Sequence, residues 1–211
     1  SVSNKILEYQ QNSDYEVYQK EDGTIVTDAD FYSHFTIING LKDIFGDIEV
    51  LSEENEFEEN IRISKLKYFF LLDPLDGTRS FHKGGGFSIN LCFCVDGKPV
   101  TSFIFISDKK CIIFNDSNNV YVNSSGKTNL LNIHKHKPSS ILKIITSSNF
   151  NNEISLKIKN KIKNFQYNDF ELIYDPALTK LEHFISGDTD AICLVGKTKD
   201  WDILPIIPIV N

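Results

Sequence analysis

The sequence has no methionine, a single tryptophan and only four cysteines. The missing methionine raises the expectation that the natural start, at least, lies outside this sequence. No apolar run reaches the ~20 residues that a membrane-crossing helix needs. Ser1 to Gln11 lacks the basic-then-apolar pattern of a secretion signal. A soluble, cytoplasmic protein is the expectation. The cysteines (Cys92, Cys94, Cys111 and Cys193) have no zinc-type spacing and read as free thiols in a reducing compartment. An excess of basic residues is missing too. The net charge of −7 disfavours a nucleic acid polymer or an anionic membrane as partner. A small phosphorylated metabolite stays admissible where metal ions reverse the local sign of charge. No internal repeat or low-complexity tract is evident.

At 211 residues, 41% of them apolar and 12% aromatic, the chain has core enough for one domain or two joined lobes. Lys5 to Gln19 has weak helical periodicity, and Lys20 to Thr24 is a polar turn. Thr27 and Asp30 form a capping-box-like pair ahead of a helix. That helix carries Phe31, Phe35, Ile38, Leu41 and Phe45 on one face and stops at Gly46. Ile48–Leu51 reads as a short strand, and Glu53 to Glu59 as a solvated loop. Tyr68–Leu72 is an unalternating apolar strand, buried on both faces. Phe87–Val95 and Val100–Ile106 flank Asp96-Gly97, a two-residue hairpin signal. Short strands follow near Cys111–Phe114 and Val120–Val122.

Ser124 to Ser140 is polar and reads as a link. Beyond it, strands (Ile141–Thr146, Phe170–Tyr174, Ala191–Val195) alternate with helices. One helix has Ile154, Ile158, Ile162 and Phe165 inward. Another starts at Asp175-Pro176 and stops at Gly187. Asp202 suits the cap of a last helix, in which Pro205 is tolerable and Pro208 should force a kink or an end. The expected organisation is an α/β (α+β) fold in two lobes. An N-terminal lobe covers residues 1–123, a link 124–140, and a C-terminal lobe 141–211, the last incomplete at its end.

The chain is organised around Asp73-Pro74-Leu75-Asp76-Gly77-Thr78. Pro74 fixes one φ angle and Gly77 frees another, so a strand leaves through a tight turn that lets both acids face one point. Asp-Pro-x-Asp-Gly is also ordinary turn chemistry. Two more acidic elements at strand ends, Glu53-Glu54 and Trp201-Asp202, alter that balance. Hard carboxylate ligands select Mg²⁺ or Mn²⁺ over zinc. If the elements converge, the ionised carboxylates repel one another, and divalent ions both remove that repulsion and create a site for phosphate.

This set resembles the inositol monophosphatase superfamily of magnesium-dependent, lithium-sensitive phosphatases. Residues 20–30, with Val26-Thr27-x-x-Asp30, resemble that family's mobile lid. The resemblance implies a layered α/β/α/β/α sandwich and two to three Mg²⁺ ions, with Mn²⁺ as a substitute. It also implies roles. Glu53, Asp73 and the Leu75 carbonyl hold a first metal; Asp73, Asp76 and Asp202 hold a second; Asp30 helps a third through water. Asp22 and Thr78 pair to orient the attacking water, which a cation acidifies. The Gly77 and Thr78 N–H groups hold phosphate. Glu53 and Asp76 count with Asp22 and Thr78 as catalytic, and Glu54 is a solvated neighbour. Family members are often homodimers.

Within the family, Phe87 to Leu91 and Gly196 to Asp202 resemble the 3′(2′),5′-bisphosphate nucleotidase branch. Lys180 matches a lysine which that branch uses near the substrate phosphate, and Thr198 falls in the Gly-x-Thr-x-x-Trp-Asp segment. The branch's Gly-Ser-Ser is replaced by Pro176-Ala177-Leu178. Inositol monophosphatase-like and histidinol-phosphate phosphatase-like activities stay open as alternatives. A degraded homologue that binds metal or a partner without turnover also stays open.

Overall fold

The apolar run at Tyr68 becomes the second strand of a seven-stranded sheet. The computed structural model describes residues 1–131, 140–146, 152–165, 167–174, 180–194 and 198–210. It divides into two compact units, residues 1–131 with 199–211, and residues 132–198. The tail therefore departs from the expected lobe 141–211. The physical reason is apolar: Trp201 and Leu204 pack on a cluster of Leu51, Ile63, Phe69, Leu71, Cys92 and Cys94 in the first unit.

The first unit begins with helix α1 (Val2–Asn12), strands β1 (Val17–Gln19) and β2 (Ile25–Thr27), and helix α2 (Asp28–Phe45). The expected helix over Lys5–Gln19 thus ends early and gives way to a strand. Among the described residues β1 and β2 pair only with each other, as an antiparallel ribbon. Then follow β3 (Val50–Ser52), α3 (Phe57–Ile63), β4 (Tyr68–Asp76), α4 (Thr78–His82), β5 (Ser88–Val95), β6 (Lys98–Ile106), β7 (Cys111–Asn115), β8 (Val120–Ser124) and β9 (Lys127–Leu130). The sheet order is β3-β4-β5-β6-β7-β8-β9, antiparallel except for the parallel β3–β4 pair.

The Asp96-Gly97 signal is borne out: both residues adopt positive φ, 50° and 72°, between paired strands. Ser125-Gly126 does the same at 52° and 77°. It folds β9 back on β8 inside what reads from sequence as an irregular link. α3 likewise occupies part of the expected loop from Glu53 to Glu59.

α2 is turned relative to the expected face. Phe35 and Phe45 are 60% and 57% exposed, whereas Ala29, Asp30, Ser33, His34 and Leu41 are buried. Polar contacts account for the turn: Asp30 is bonded to Thr27 and Thr78, and His34 Nδ1 lies 3.0 Å from Ser52 Oγ.

The second unit has strands β10 (Ile141–Thr146), β11 (Asp169–Tyr174) and β12 (Ala191–Cys193) in the all-parallel order β11-β10-β12. They alternate with helices α5 (Asn152–Ile162) and α6 (Lys180–Ser186). Phe165 falls in a 3-10 turn and is 70% exposed, against its expected inward place. Gly187 ends α6 with φ 81°. The expected helix start at Asp175-Pro176 lies outside the described residues.

The tail in the first unit forms α7 (Asp200–Ile203), a 3-10 turn and α8 (Ile207–Val210). The break comes at Pro205, not Pro208. Pro205 lacks the N–H that would continue α7, while Pro208 sits in the first turn of α8, where none is needed. Among the described residues no helix is long and apolar enough to cross a membrane.

Candidate active site

β4 does not stop at Leu72 but runs on through the acidic motif. Asp73 pairs with Asn90 and Asp76 with Ser88, with a register shift between them. Asn90 and Ser88 are two apart and share a face. Asp73 and Asp76 are three apart and would point oppositely on a regular strand. The bulge at Pro74-Leu75, where proline has no N–H to give, corrects the parity. Gly77 then turns the chain at φ 90°, a left-handed conformation that favours glycine. Thr78 opens α4.

Asp73, Asp76 and Asp202 each bring a carboxylate oxygen within 4.8 Å of the other two. They line a cleft of about 250 Å³ with Glu53, Leu75, Gly77, Thr78, Arg79, Thr24 and Ile25. Asp73 is 1% exposed. Burial pushes its carboxyl well above the usual range, and the nearby Asp76, Glu53 and Asp202 push it further; the Leu75 N–H opposes them. Burial also raises Glu53, where Lys20 opposes and Glu54 and Asp202 add, and it raises Asp202. Asn90 Nδ2 donates to Asp76 Oδ2 at 3.2 Å. The Lys199 N–H donates to Asp202 Oδ2 at 2.8 Å. Asp202 therefore stands at the third position of α7 and reaches back to cap it, rather than preceding the helix. A donor set made only of oxygens, mutually repelling and partly buried, fits a hard divalent cation.

Glu53 borders this cleft but stands outside the three-oxygen group, with Oε1 3.5 Å from Lys20 Nζ. Glu54 is not the solvated neighbour expected. Its side chain is 5% exposed and pairs with Lys20 Nζ at 2.8 Å. Burial raises its carboxyl, and the bond to Lys20 opposes that.

Where Thr78 was expected to pair with Asp22, its hydroxyl meets Asp30. Thr78 Oγ1 lies 3.0 Å from Asp30 Oδ1 and 3.1 Å from the Leu75 carbonyl oxygen, both acceptors. Asp30 Oδ2 accepts from the Thr27 N–H and hydroxyl. One carboxylate thus caps α2 through one oxygen and meets Thr78 through the other. Burial raises its pKa, while the bonds from Thr27 and Thr78 oppose. Asp22 Oδ1 instead accepts from the Thr24 N–H and hydroxyl at 2.9 and 2.6 Å, ordering the ribbon's turn.

Lys180 and Thr198 belong to the second unit, the first buried on α6 and the second exposed. Sequence reasoning missed three side chains. Arg79 carries no motif signal of its own, and Lys20 and Asn90, though inside stretches that resemble the family, gain their partners only from what the fold sets beside them. His82 is exposed and His34 buried, and His134 and His136 lie outside the described residues.

The 3′(2′),5′-bisphosphate nucleotidase CysQ of Salmonella typhimurium is 30% identical to this chain over 141 residues, covering 66% of the chain and 56% of that protein. The chain thus spans about half the length of that curated relative. CysQ from Bacteroides thetaiotaomicron matches with a TM-score of 0.75 at 22% identity, over 99% of this chain and 80% of that one. An IMPase/NADP phosphatase solved with Mg²⁺ and phosphate matches with a TM-score of 0.72 at 17% identity, over 96% and 73%. At such identities the likeness shows the fold, and the expected α/β class agrees with it. The model of the inositol monophosphatase family matches residues 2–211, nearly the whole sequence, and the chain belongs to that family.

Proposed function

We propose that this chain is a magnesium-dependent phosphomonoesterase acting on a small phosphorylated metabolite, with a 3′(2′),5′-bisphosphate nucleotide as the favoured substrate. The observation that carries the reading is the convergence of Asp73, Asp76 and Asp202 within 4.8 Å. The nucleotide preference is supported by the name of the CysQ relative, which is similar to this chain but longer.

Asp73, Asp76 and Asp202 would hold one divalent cation, and Glu53, Asp73 and the Leu75 carbonyl a second; Asp30 and Glu53 would help a third. Such cations, when bound, acidify water and neutralise phosphate charge. The chain's own residues supply the rest. The Thr78 hydroxyl, paired with Asp30, orients a water and passes its proton toward the Asp30 carboxylate. This role replaces the one expected of Asp22. The Gly77 and Thr78 N–H groups donate to the phosphate oxygens.

The test is phosphate release from adenosine 3′,5′-bisphosphate and from inositol 1-phosphate, each with Mg²⁺, with EDTA and with added lithium. The expected result is magnesium-dependent release, fastest from the nucleotide and inhibited by lithium. Absence of magnesium-dependent release from every phosphomonoester tried would falsify the reading. Faster release from inositol 1-phosphate would move the substrate to the other branch.

A further inference from the structure

We propose that Arg79 is a latch that holds the β1–β2 ribbon over the carboxylate cleft, and thereby a positioning residue. The positioning role rests on the phosphatase reading above; the latch does not.

Among the described residues the ribbon pairs with no other strand. An isolated two-stranded hairpin is marginal in water, and all three residues of β1 are exposed. Buried Val26 and Thr27, and the bonds of Asp28 to Glu16 and Tyr18, fix its root at the start of α2, so the attachments of its tip decide how that tip sits over the cleft. Its tip is firmly built: the Gly23 N–H donates to the Lys20 carbonyl at 3.0 Å, the Lys20 N–H to the Thr24 carbonyl at 2.8 Å, and Asp22 holds Thr24. Gly23 takes φ 81°, which an L side chain would strain.

The Gly23 carbonyl of that tip accepts from Arg79 Nη2 at 3.1 Å. Arg79 follows Thr78 directly on α4, so the latch is fixed to the element next to the proposed proton acceptor. Thr24 and Ile25 of the ribbon line the cleft, and Arg79 is the one cation among its described lining residues. Lys20, bonded to Glu54 at 2.8 Å, fastens the ribbon near its other end of the turn. With Arg79 gone, the tip loses this attachment, and Thr24 and Ile25 can lift away from the water and proton path.

The experiment compares wild type, Arg79→Met, which keeps the aliphatic stem, and Arg79→Lys, which keeps a cationic donor. Lysyl endopeptidase cleavage after Lys20 is followed by mass, and kcat and KM for adenosine 3′,5′-bisphosphate are measured with Mg²⁺. The Met variant is expected to be cut after Lys20 about fivefold faster and to lose about tenfold in kcat with KM within about twofold. The Lys variant should recover part of both. Unchanged cleavage in the Met variant overturns the latch, whatever the activity. Faster cleavage with unchanged kcat, or a rise in KM alone, overturns the positioning role. If wild type has no turnover, the phosphatase reading fails while the cleavage rates still decide the latch.

Discussion

Thr78 Oγ1 and Asp30 Oδ1 stand 3.0 Å apart across 48 positions of sequence. The bond joins the first residue of α4 to the first turn of α2, so two helix starts meet at the cleft. Thr78 is therefore fixed to a buried acid of the helix, and Asp22 serves the ribbon's turn.

Two substitutions separate these acids. Asp30→Asn keeps the shape and a capping oxygen but removes the proton acceptor. It should lower kcat about 100-fold or more, the scale of general-base catalysis. Asp22→Asn, at the carboxylate that holds Thr24 in the turn, should cost less than about fivefold. Rates of magnesium-dependent phosphate release decide it; equal losses in both variants would return Asp22 to the water-activating role.

Metal removal should make stability depend on pH in a particular direction. In the metal-free protein Asp73, Glu53 and Asp202 have folded-state pKa values raised above their ordinary ones, chiefly by burial. Between the ordinary and the raised values the folded state binds more protons than the unfolded state. Stability then falls as pH rises through that window. Melting in EDTA should occur at a higher temperature at pH 5 than at pH 7.5. Saturating Mg²⁺ favours the ionised carboxylates, so its stabilising shift should be larger at pH 7.5. A magnesium shift equal at both pH values would contradict a carboxylate-held ion.

Removing one charge should have opposite effects on activity and on metal-free stability. Asp76 adds to the repulsion at Asp73. Asp76→Asn should therefore abolish turnover yet stabilise the EDTA-treated protein by about 1 kcal/mol, a figure reduced by the partial exposure of Asp76. The stabilisation by Mg²⁺ should shrink in the same variant. Thermal melts with and without Mg²⁺ check both; a less stable metal-free variant would mean that Asp76 is held by structure and not crowded by charge.

The carboxylate set was legible because its signals are local. Pro74 and Gly77 announce a turn, and the acids flank it. Asp96-Gly97 marks a hairpin for the same reason. What was not legible depended on partners distant in sequence. The choice of Asp30 over Asp22 for Thr78 turns on how α2 rotates, and its exposed Phe35 and Phe45 make apolar periodicity point the wrong way there. Glu54 looks solvated until Lys20 folds over it. The last thirteen residues look like the end of the second lobe, because nothing near Trp201 says which apolar cluster it will join.

That docking of Trp201 supplies the last prediction. Trp201 precedes Asp202 on α7 and packs on the cluster that includes Leu71 and Cys92, neighbours of the acidic motif along β4 and β5. α7 is four residues long and too short to be stable by itself, so the packing of Trp201, with Leu204 beside it, helps to seat Asp202 opposite Asp73. Trp201→Phe keeps an aromatic ring in that seat and should change the Mg²⁺ concentration for half-maximal rate by less than about threefold. Trp201→Ala empties it. Truncating a half-buried tryptophan should cost about 2–3 kcal/mol of stability and also raise the half-maximal Mg²⁺ about tenfold, since one carboxylate of three is no longer held in place. Thermal melts and magnesium titrations of phosphate release separate the two effects. A Trp201→Ala protein that is destabilised but titrates with Mg²⁺ like wild type would show that the α7 backbone, held by other contacts, positions Asp202 without the indole.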